Sequence, residues 1–179
     1  MRANRHTTMN IHRIDGWVDT RLEPVRRNAV SRGLFSLLSW AGEFGLVWHG
    51  IIWLRASGST SRAADALVFS LLLGAEGLVV NQGIKRLFKR SRPKTGGDDR
   101  FTVRTPMTSS FPSGHSSSAF FAATLLATLV SGAWSGLIFV LAVGVALSRV
   151  MVRLHHFSDI LGGAAVGAAL GLLAAPLVG

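Results

Sequence analysis

Five stretches of this chain are apolar over close to the length that a bilayer crossing demands, and a chain built this way has few folds open to it. A spanning helix needs about 20 mostly apolar residues. Residues 34–54 lie between Arg32 and Arg55 and are interrupted by Glu43 and His49. Residues 66–84 lie between Asp65 and Lys85, with Glu76 and Asn81 inside. Residues 116–132 follow His115, residues 134–152 are apolar until Arg149, and residues 160–178 carry no charge. The expectation is an all-α integral membrane protein with five transmembrane helices in one domain over residues 34–179.

Composition narrows the function classes. Charged residues make up 16% of the chain and the formal net charge is +10, whereas a soluble domain is about 25% charged. A nucleic-acid binder would explain the positive charge but not the hydrophobicity, so no nucleic-acid partner is expected. The absence of Cys removes disulfides and thiolate metal sites. Residues 1–33 show no signal peptide. They are rich in Arg, and Ile11, Ile14, Val18, Leu22 and Val25 fall on one helical face beside Trp17. That pattern predicts an amphipathic helix over about residues 10–32, lying in the membrane interface and kinked or ended by Pro24.

Charge then sets orientation. Seventeen of the 19 Lys and Arg precede the first apolar segment or fall in the second and fourth connections, which five crossings place on one side. The positive-inside rule makes that side cytoplasmic. The expected location is the bacterial inner membrane, multi-pass, with the N-terminus and the motif loops in the cytoplasm.

Chemistry-bearing residues concentrate in three places. Lys85-Arg86-Leu87-Phe88-Lys89-Arg90-Ser91-Arg92-Pro93 puts five cations in eight residues, a match for a polyanion. Phe111-Pro112-Ser113-Gly114-His115 leads into an apolar segment, so that N–H groups and hydroxyls gather at the positive end of a helix with a proton-exchanging imidazole beside them. Ser148-Arg149 precedes His155 and Asp159, an i, i+4 pair in which a carboxylate can fix the imidazole tautomer and leave the other nitrogen as a nucleophile. Together these suit phosphoryl transfer. No carboxylate cluster offers itself for a divalent metal, and Asp98 and Asp99 read as a solvated loop, so neither a metal nor another cofactor is expected.

Lys85 with Arg92-Pro93, then Pro112-Ser113-Gly114-His115, then Ser148-Arg149 with His155 and Asp159 resembles, in order and spacing, the three-part signature of the type 2 phosphatidic acid phosphatase family. The resemblance covers residues 85–159 and implies a membrane helix bundle that removes phosphate from lipid phosphates without a metal. It implies His155 as the nucleophile of a phosphohistidine intermediate, Asp159 as the residue that orients it, and His115 as the acid and then the base. Lys85, Arg92, Ser113, Gly114 and Arg149 would hold the phosphate oxygens. Asn81, Arg100, Arg104 and His156 are candidates for supporting or head-group contacts. Vanadium haloperoxidases resemble the same signature but are soluble. Family members commonly have six spans and an outward site; here the short N-terminal helix replaces the first span and turns the motif loops inward.

The substrate is not written in the motifs. An inward site and an Ala/Gly/Val/Arg-rich composition resemble the small actinobacterial members, which are linked to decaprenylphosphoryl-5-phosphoribose dephosphorylation in cell-wall arabinan synthesis. Undecaprenyl diphosphate, phosphatidylglycerophosphate and phosphatidic acid are the alternative substrates. A non-catalytic lipid-binding or transport protein on the same fold is the rival class. Gly163, Gly167 and Gly171 form a small-residue stripe for close helix approach, either within the chain or in a homodimer. Trp40, Trp48, Trp53 and Trp134 are expected at the membrane interfaces, and Glu43, His49 and Glu76 between helices.

Overall fold

A computed structural model describes residues 5–93, 98–101, 103 and 108–178. Among these residues the chain forms seven α-helices and no strand: α1 Arg5–Arg27, α2 Ala29–Ala41, α3 Leu46–Ala56, α4 Thr60–Leu78, α5 Gly114–Leu129, α6 Ala133–Met151 and α7 Phe157–Ala174. Arg104 lies outside the described residues.

The N-terminal segment is not one helix over residues 10–32. Pro24 sits in the last turn of α1, where it removes the N–H that would bond the residue 20 carbonyl, and the helix ends at Arg27. Asn28 then caps α2, its side chain accepting the Ser31 N–H at 3.0 Å. Nor is residues 34–54 a straight span. The helix breaks at Gly42–Gly45, where Phe44 (φ 51°) and Gly45 (φ 71°) take left-handed backbone, and α2 and α3 meet at a bend of 61°. Three straight helices have the length and hydropathy of a crossing, Thr60–Leu87, Ala133–Met151 and Phe157–Leu177, and the bent α2–α3 pair is a fourth candidate among the described residues. The expected third span, 116–132, is instead the 16-residue α5.

That helix is short because it is the core. Ala119, Phe121, Ala122, Ala123, Leu125 and Leu126 are buried, against Trp48 and Ile52 of α3, Phe69 and Leu73 of α4, and Ala142 and Val145 of α6. The outer helices point Leu67, Leu71, Leu137, Val140, Leu172 and Leu173 away from the protein, an apolar belt that lipid would cover. Trp48 belongs to this core, whereas Trp40, Trp53 and Trp134 are exposed. The glycine stripe of α7 packs on α5 of the same chain, where a Cβ on Gly163 or Gly167 would fall 2.4 or 2.0 Å from the carbonyl oxygens of Ser113 and Ser117. Glu76 and His49 join helices: Glu76 accepts from the Ser117 and Ser118 hydroxyls of α5, and His49 Nδ1 is 3.0 Å from Ser70 Oγ of α4.

The polar ends sort by side. α1, the segment after Leu87 and the α6–α7 connection meet at one end, joined by Arg90–Asp15, Arg92–Leu154 and Arg153–Asp19 contacts. At the other end Arg55 reaches the Leu129 carbonyl at 3.1 Å. α1 is thus docked rather than loose: Arg26 is fully buried and donates to the carbonyls of Val150 and Met151 at 3.0 Å each, closing the C-terminus of α6. Ile11, Ile14, Trp17 and Val25 stay exposed while Val18 and Leu22 pack inward, so the expected apolar face is split between two surroundings.

Candidate active site

A cleft of about 440 Å³ opens beside the N-terminus of α5, lined by Lys85, Gly114, His115, Arg149 and His155 together with Asn81, Ser118 and the broken-helix residues Gly42 to Gly45. Three chain segments deliver these groups. After Leu78 the α4 backbone loosens into one π turn, Val79–Gly83, and then tightens into a 3₁₀ turn, Ile84–Leu87. Such a change of pitch re-aims a side chain, and here Lys85 turns inward and is buried. Asn81 is anchored by its Nδ2 donating to the Gly77 carbonyl at 2.8 Å. A Cβ on Gly114 would lie 3.1 Å from Asn81 Oδ1 and 3.4 Å from Lys85 Nζ, so this glycine lets the lysine approach the helix end.

Ser113 is the N-cap of α5 and is fully buried. Its hydroxyl accepts the Ser116 N–H at 3.4 Å and its own N–H donates to the Asp159 carbonyl at 3.0 Å. It therefore stands behind the cleft, joining the two motif helices. Arg149 is also buried; Nη1 donates to the Ser39 hydroxyl of α2, while Nε and Nη2 have no protein partner. A guanidinium fixed at one corner, with two unsatisfied buried N–H groups at a cleft, is the donor set of a tetrahedral oxyanion.

His155 sits in the α6–α7 connection and is almost wholly buried. Arg92 Nη1 lies 3.2 Å from its Nε2 and also donates to the Leu154 carbonyl at 2.6 Å. A guanidinium only donates, so Nε2 is the acceptor and the proton of the neutral ring belongs on Nδ1. That nitrogen faces Asp159 Oδ2 at 3.6 Å, just beyond hydrogen-bond reach. Burial is the main cause that pushes the imidazole down to about 3, with Asp159 opposing and Arg149 and Arg92 reinforcing it. A neutral ring is what a nucleophile requires, and its Nε2 lone pair here accepts from Arg92. No loss of the nucleophile is then expected near pH 6.5; single-turnover rates should stay level from about pH 5 to 7 as far as His155 is concerned. Because the folded-state pKa lies below the ordinary value, the unfolded chain binds the extra proton first, and folding stability should fall as pH drops from 6.5 towards 3. A single-turnover limb with a midpoint near 6.5 that a His115 substitution leaves in place would contradict this.

Asp159, at the first turn of α7, is held on all sides. Oδ2 accepts the Ser110 hydroxyl and, at 2.8 Å, the His156 N–H; Oδ1 accepts Arg90 Nη1 at 2.5 Å. His156 is thus the N-terminal cap of α7. Arg100 is occupied by Glu23 and Asp98, with contacts of 2.8 and 2.6 Å. Asp98 is buried under Arg100 and Arg153 rather than solvated. The helix break carries a carboxylate to the other histidine, Glu43 Oε2 lying 3.3 Å from His115 Nε2. Each imidazole therefore has its own carboxylate.

Sequence reasoning passed over Arg90, Ser110 and Ser39. Arg90 is legible only as one of five neighbouring cations. Ser110 and Ser39 carry no local signal, since their roles follow from packing.

Comparison with known proteins places the chain among membrane phosphatases. The model of the PAP2 superfamily matches residues 65–179. Decaprenylphosphoryl-5-phosphoribose phosphatase from two strains of Mycobacterium tuberculosis, CDC 1551 / Oshkosh and H37Rv, is 35% identical over 150 residues, covering 81% of this chain and 77% of that protein. The crystal structure of a transmembrane PAP2 type phosphatidylglycerolphosphate phosphatase from Bacillus subtilis superposes with a TM-score of 0.51 at 21% identity, covering 94% of each chain.

Proposed function

We propose that this chain, which belongs to the PAP2 superfamily, dephosphorylates a polyprenyl-linked sugar phosphate at the cytoplasmic leaflet of a bacterial inner membrane. That it is a membrane phosphatase, a phosphoric monoester hydrolase, follows from the family and the phosphatase relative. The observation that carries the mechanism is the convergence of Lys85, Arg149, His115 and His155 on one cleft.

In this reading His155 Nε2 attacks phosphorus and the P–O bond to the lipid side breaks. His115 gives its proton to the departing alkoxide, and Glu43 supports the imidazole that carries it. The positive charge left on His155 faces Asp159 through Nδ1. Water then attacks the phosphohistidine with His115 taking its proton, the P–N bond breaks, and inorganic phosphate leaves. Lys85, Arg92, Arg149 and the α5 N-terminus around Ser113 and Gly114 stabilise the charge that builds on the equatorial oxygens. No step calls for a metal.

The substrate class rests on the mycobacterial relative, which is named for decaprenylphosphoryl-5-phosphoribose. The inward orientation rests on the charge count and on the gathering of α1 with the motif loops at one end. The purified protein in detergent with EDTA is expected to release phosphate from polyprenyl phosphoribose phosphate faster than from phosphatidic acid, phosphatidylglycerophosphate or polyprenyl diphosphate. A faster rate on any of the others would overturn the substrate, and loss of activity in EDTA the metal-free route. Because the chain has no Cys, Asp99→Cys gives a single reporter, and labelling from outside intact cells would reverse the orientation.

A further inference from the structure

The inner edge of α1 carries one acid per turn, Asp15, Asp19 and Glu23. Asp19 and Glu23 pair with arginines: Asp19 with Arg26 and Arg153 at 2.9 and 3.1 Å, and Glu23 with Arg100 at 2.8 Å. These hold the helix down. Asp15 is placed differently. It is buried, with Oδ1 accepting the Ser158 N–H at 2.8 Å and Oδ2 accepting the Ser158 hydroxyl at 2.8 Å and Arg90 Nη2 at 2.6 Å. Through its other nitrogen, Nη1, Arg90 reaches the Ser158 hydroxyl at 2.7 Å and Asp159 Oδ1 at 2.5 Å. An unbroken chain of charged contacts therefore runs from α1 to the carboxylate facing His155.

We propose that Asp15 and Arg90 are positioning residues for Asp159, which makes the N-terminal helix part of the catalytic apparatus. The inference rests on the reading of His155 and Asp159 given above. Arg90 stands at a position that the first motif leaves open between Lys85 and Arg92, and Asp15 lies outside the segment that the family model matches.

Two physical effects follow from the arrangement. Asp15 fixes the first turn of α7 from outside, since Ser158 precedes Asp159 and its N–H is one of the unpaired donors of a helix start. Asp15 also shares the charge of Arg90. With both carboxylates present the guanidinium is divided between them, and Asp159 keeps enough negative character to stabilise the positive charge that grows on His155. With Asp15 neutral, Arg90 rests on Asp159 alone and competes with His155 for it. The expected loss is in the chemical step rather than in lipid binding, because neither Asp15 nor Arg90 lines the cleft around His155 and Arg149.

The test uses the full chain in detergent and the lipid of the panel above that the wild type turns over fastest. Asp15→Asn, which is isosteric, is expected to lower kcat about 10- to 100-fold with KM changed less than about two-fold and the melting temperature within a few degrees. In a double-mutant cycle, Asp15→Asn combined with Arg90→Gln is expected to cost no more in kcat than Arg90→Gln alone, as for residues that act in series. Unchanged kcat in Asp15→Asn overturns the proposal. So do additive losses in the cycle, or a loss that only tracks the fraction of folded protein. If Asp15→Asn yields no folded protein, Arg90→Lys is judged on its kcat and KM by the same standard. His155→Ala separates the two readings: activity retained there sinks the site itself, whereas an inactive His155→Ala beside a wild-type Asp15→Asn sinks only the role of α1.

Discussion

His155→Ala is expected to abolish phosphate release, by a factor on the order of 10⁴ or more, the scale on which losing a covalent nucleophile costs an enzyme. The structure gives three reasons for so large an effect. The imidazole is nearly inaccessible to solvent, so its removal leaves a small buried void in place of the attacking group. Arg92 stands 3.2 Å from Nε2, so the lone pair of that nitrogen lies among groups that would hold phosphate oxygens. Burial also keeps the ring neutral, with its pKa at about 3, so it need not lose a proton before it attacks. A covalent route has a direct readout. Labelled lipid phosphate mixed with wild-type enzyme and quenched in alkali, where phosphohistidine survives, should leave label on the protein, and His155→Ala should leave none. Substitution of His115 should leave the nucleophile intact but slow both proton transfers, lowering turnover while label remains attachable. Should His155→Ala keep more than about one per cent of wild-type activity, the attacking group is something else, with water activated by His115 the first alternative.

The parts of this molecule that were legible in its sequence are those where chemistry is written locally. Lys85, Arg92, Gly114, His115, Arg149 and His155 lie in short runs with fixed spacing, and the structure gathers them at one end of α5. The glycines of residues 163–171 announced a close helix approach because only a missing Cβ permits it. Other features depend on which surfaces meet, and periodicity does not encode that. The break at Gly42–Gly45 was hidden inside an apolar run that hydropathy reads as continuous, and Glu43 looked like an isolated cost when it is the partner of His115. α5 was assigned a full span because its composition is apolar, but a helix surrounded by protein need not match the bilayer thickness. In α1 Asp15, Asp19 and Glu23 recur every four residues alongside the apolar ones. Their meaning came only with the arginines they face.

The second large effect is expected at Gly167, far from any reacting atom. A Cβ there would lie 2.0 Å from the Ser117 carbonyl oxygen, 2.7 Å from its carbon and 2.9 Å from its Cα. These are backbone atoms in the first turn of a buried helix, so no rotamer change relieves the clash, and α5 and α7 must separate. Overpacking of a core costs about 1–3 kcal/mol even where side chains can yield; here the helix axes themselves must move. The two helices also carry the two halves of the site. The Ser116 hydroxyl donates to the Ile160 carbonyl at 2.6 Å and the Ser113 N–H to the Asp159 carbonyl at 3.0 Å, so a displacement at Gly167 has to travel less than one turn of α5 to reach His115 and about two turns of α7 to reach Asp159. Positioning errors of this kind are amplified in rate, since about 1 Å of misplacement can cost 10²-fold. Gly167→Ala is therefore expected to lower the melting temperature in detergent and to cut kcat by more than about ten-fold, and Gly167→Leu to prevent folding. Gly136 of α6 supplies the contrast, because a Cβ there meets nothing within 4 Å. Gly136→Ala should leave activity intact and stabilise the helix by about 0.4–1 kcal/mol. Equal melting temperatures and rates for Gly167→Ala and Gly136→Ala would mean that α5 and α7 are not locked at this distance, and the mutual placement of the two histidines would need another cause.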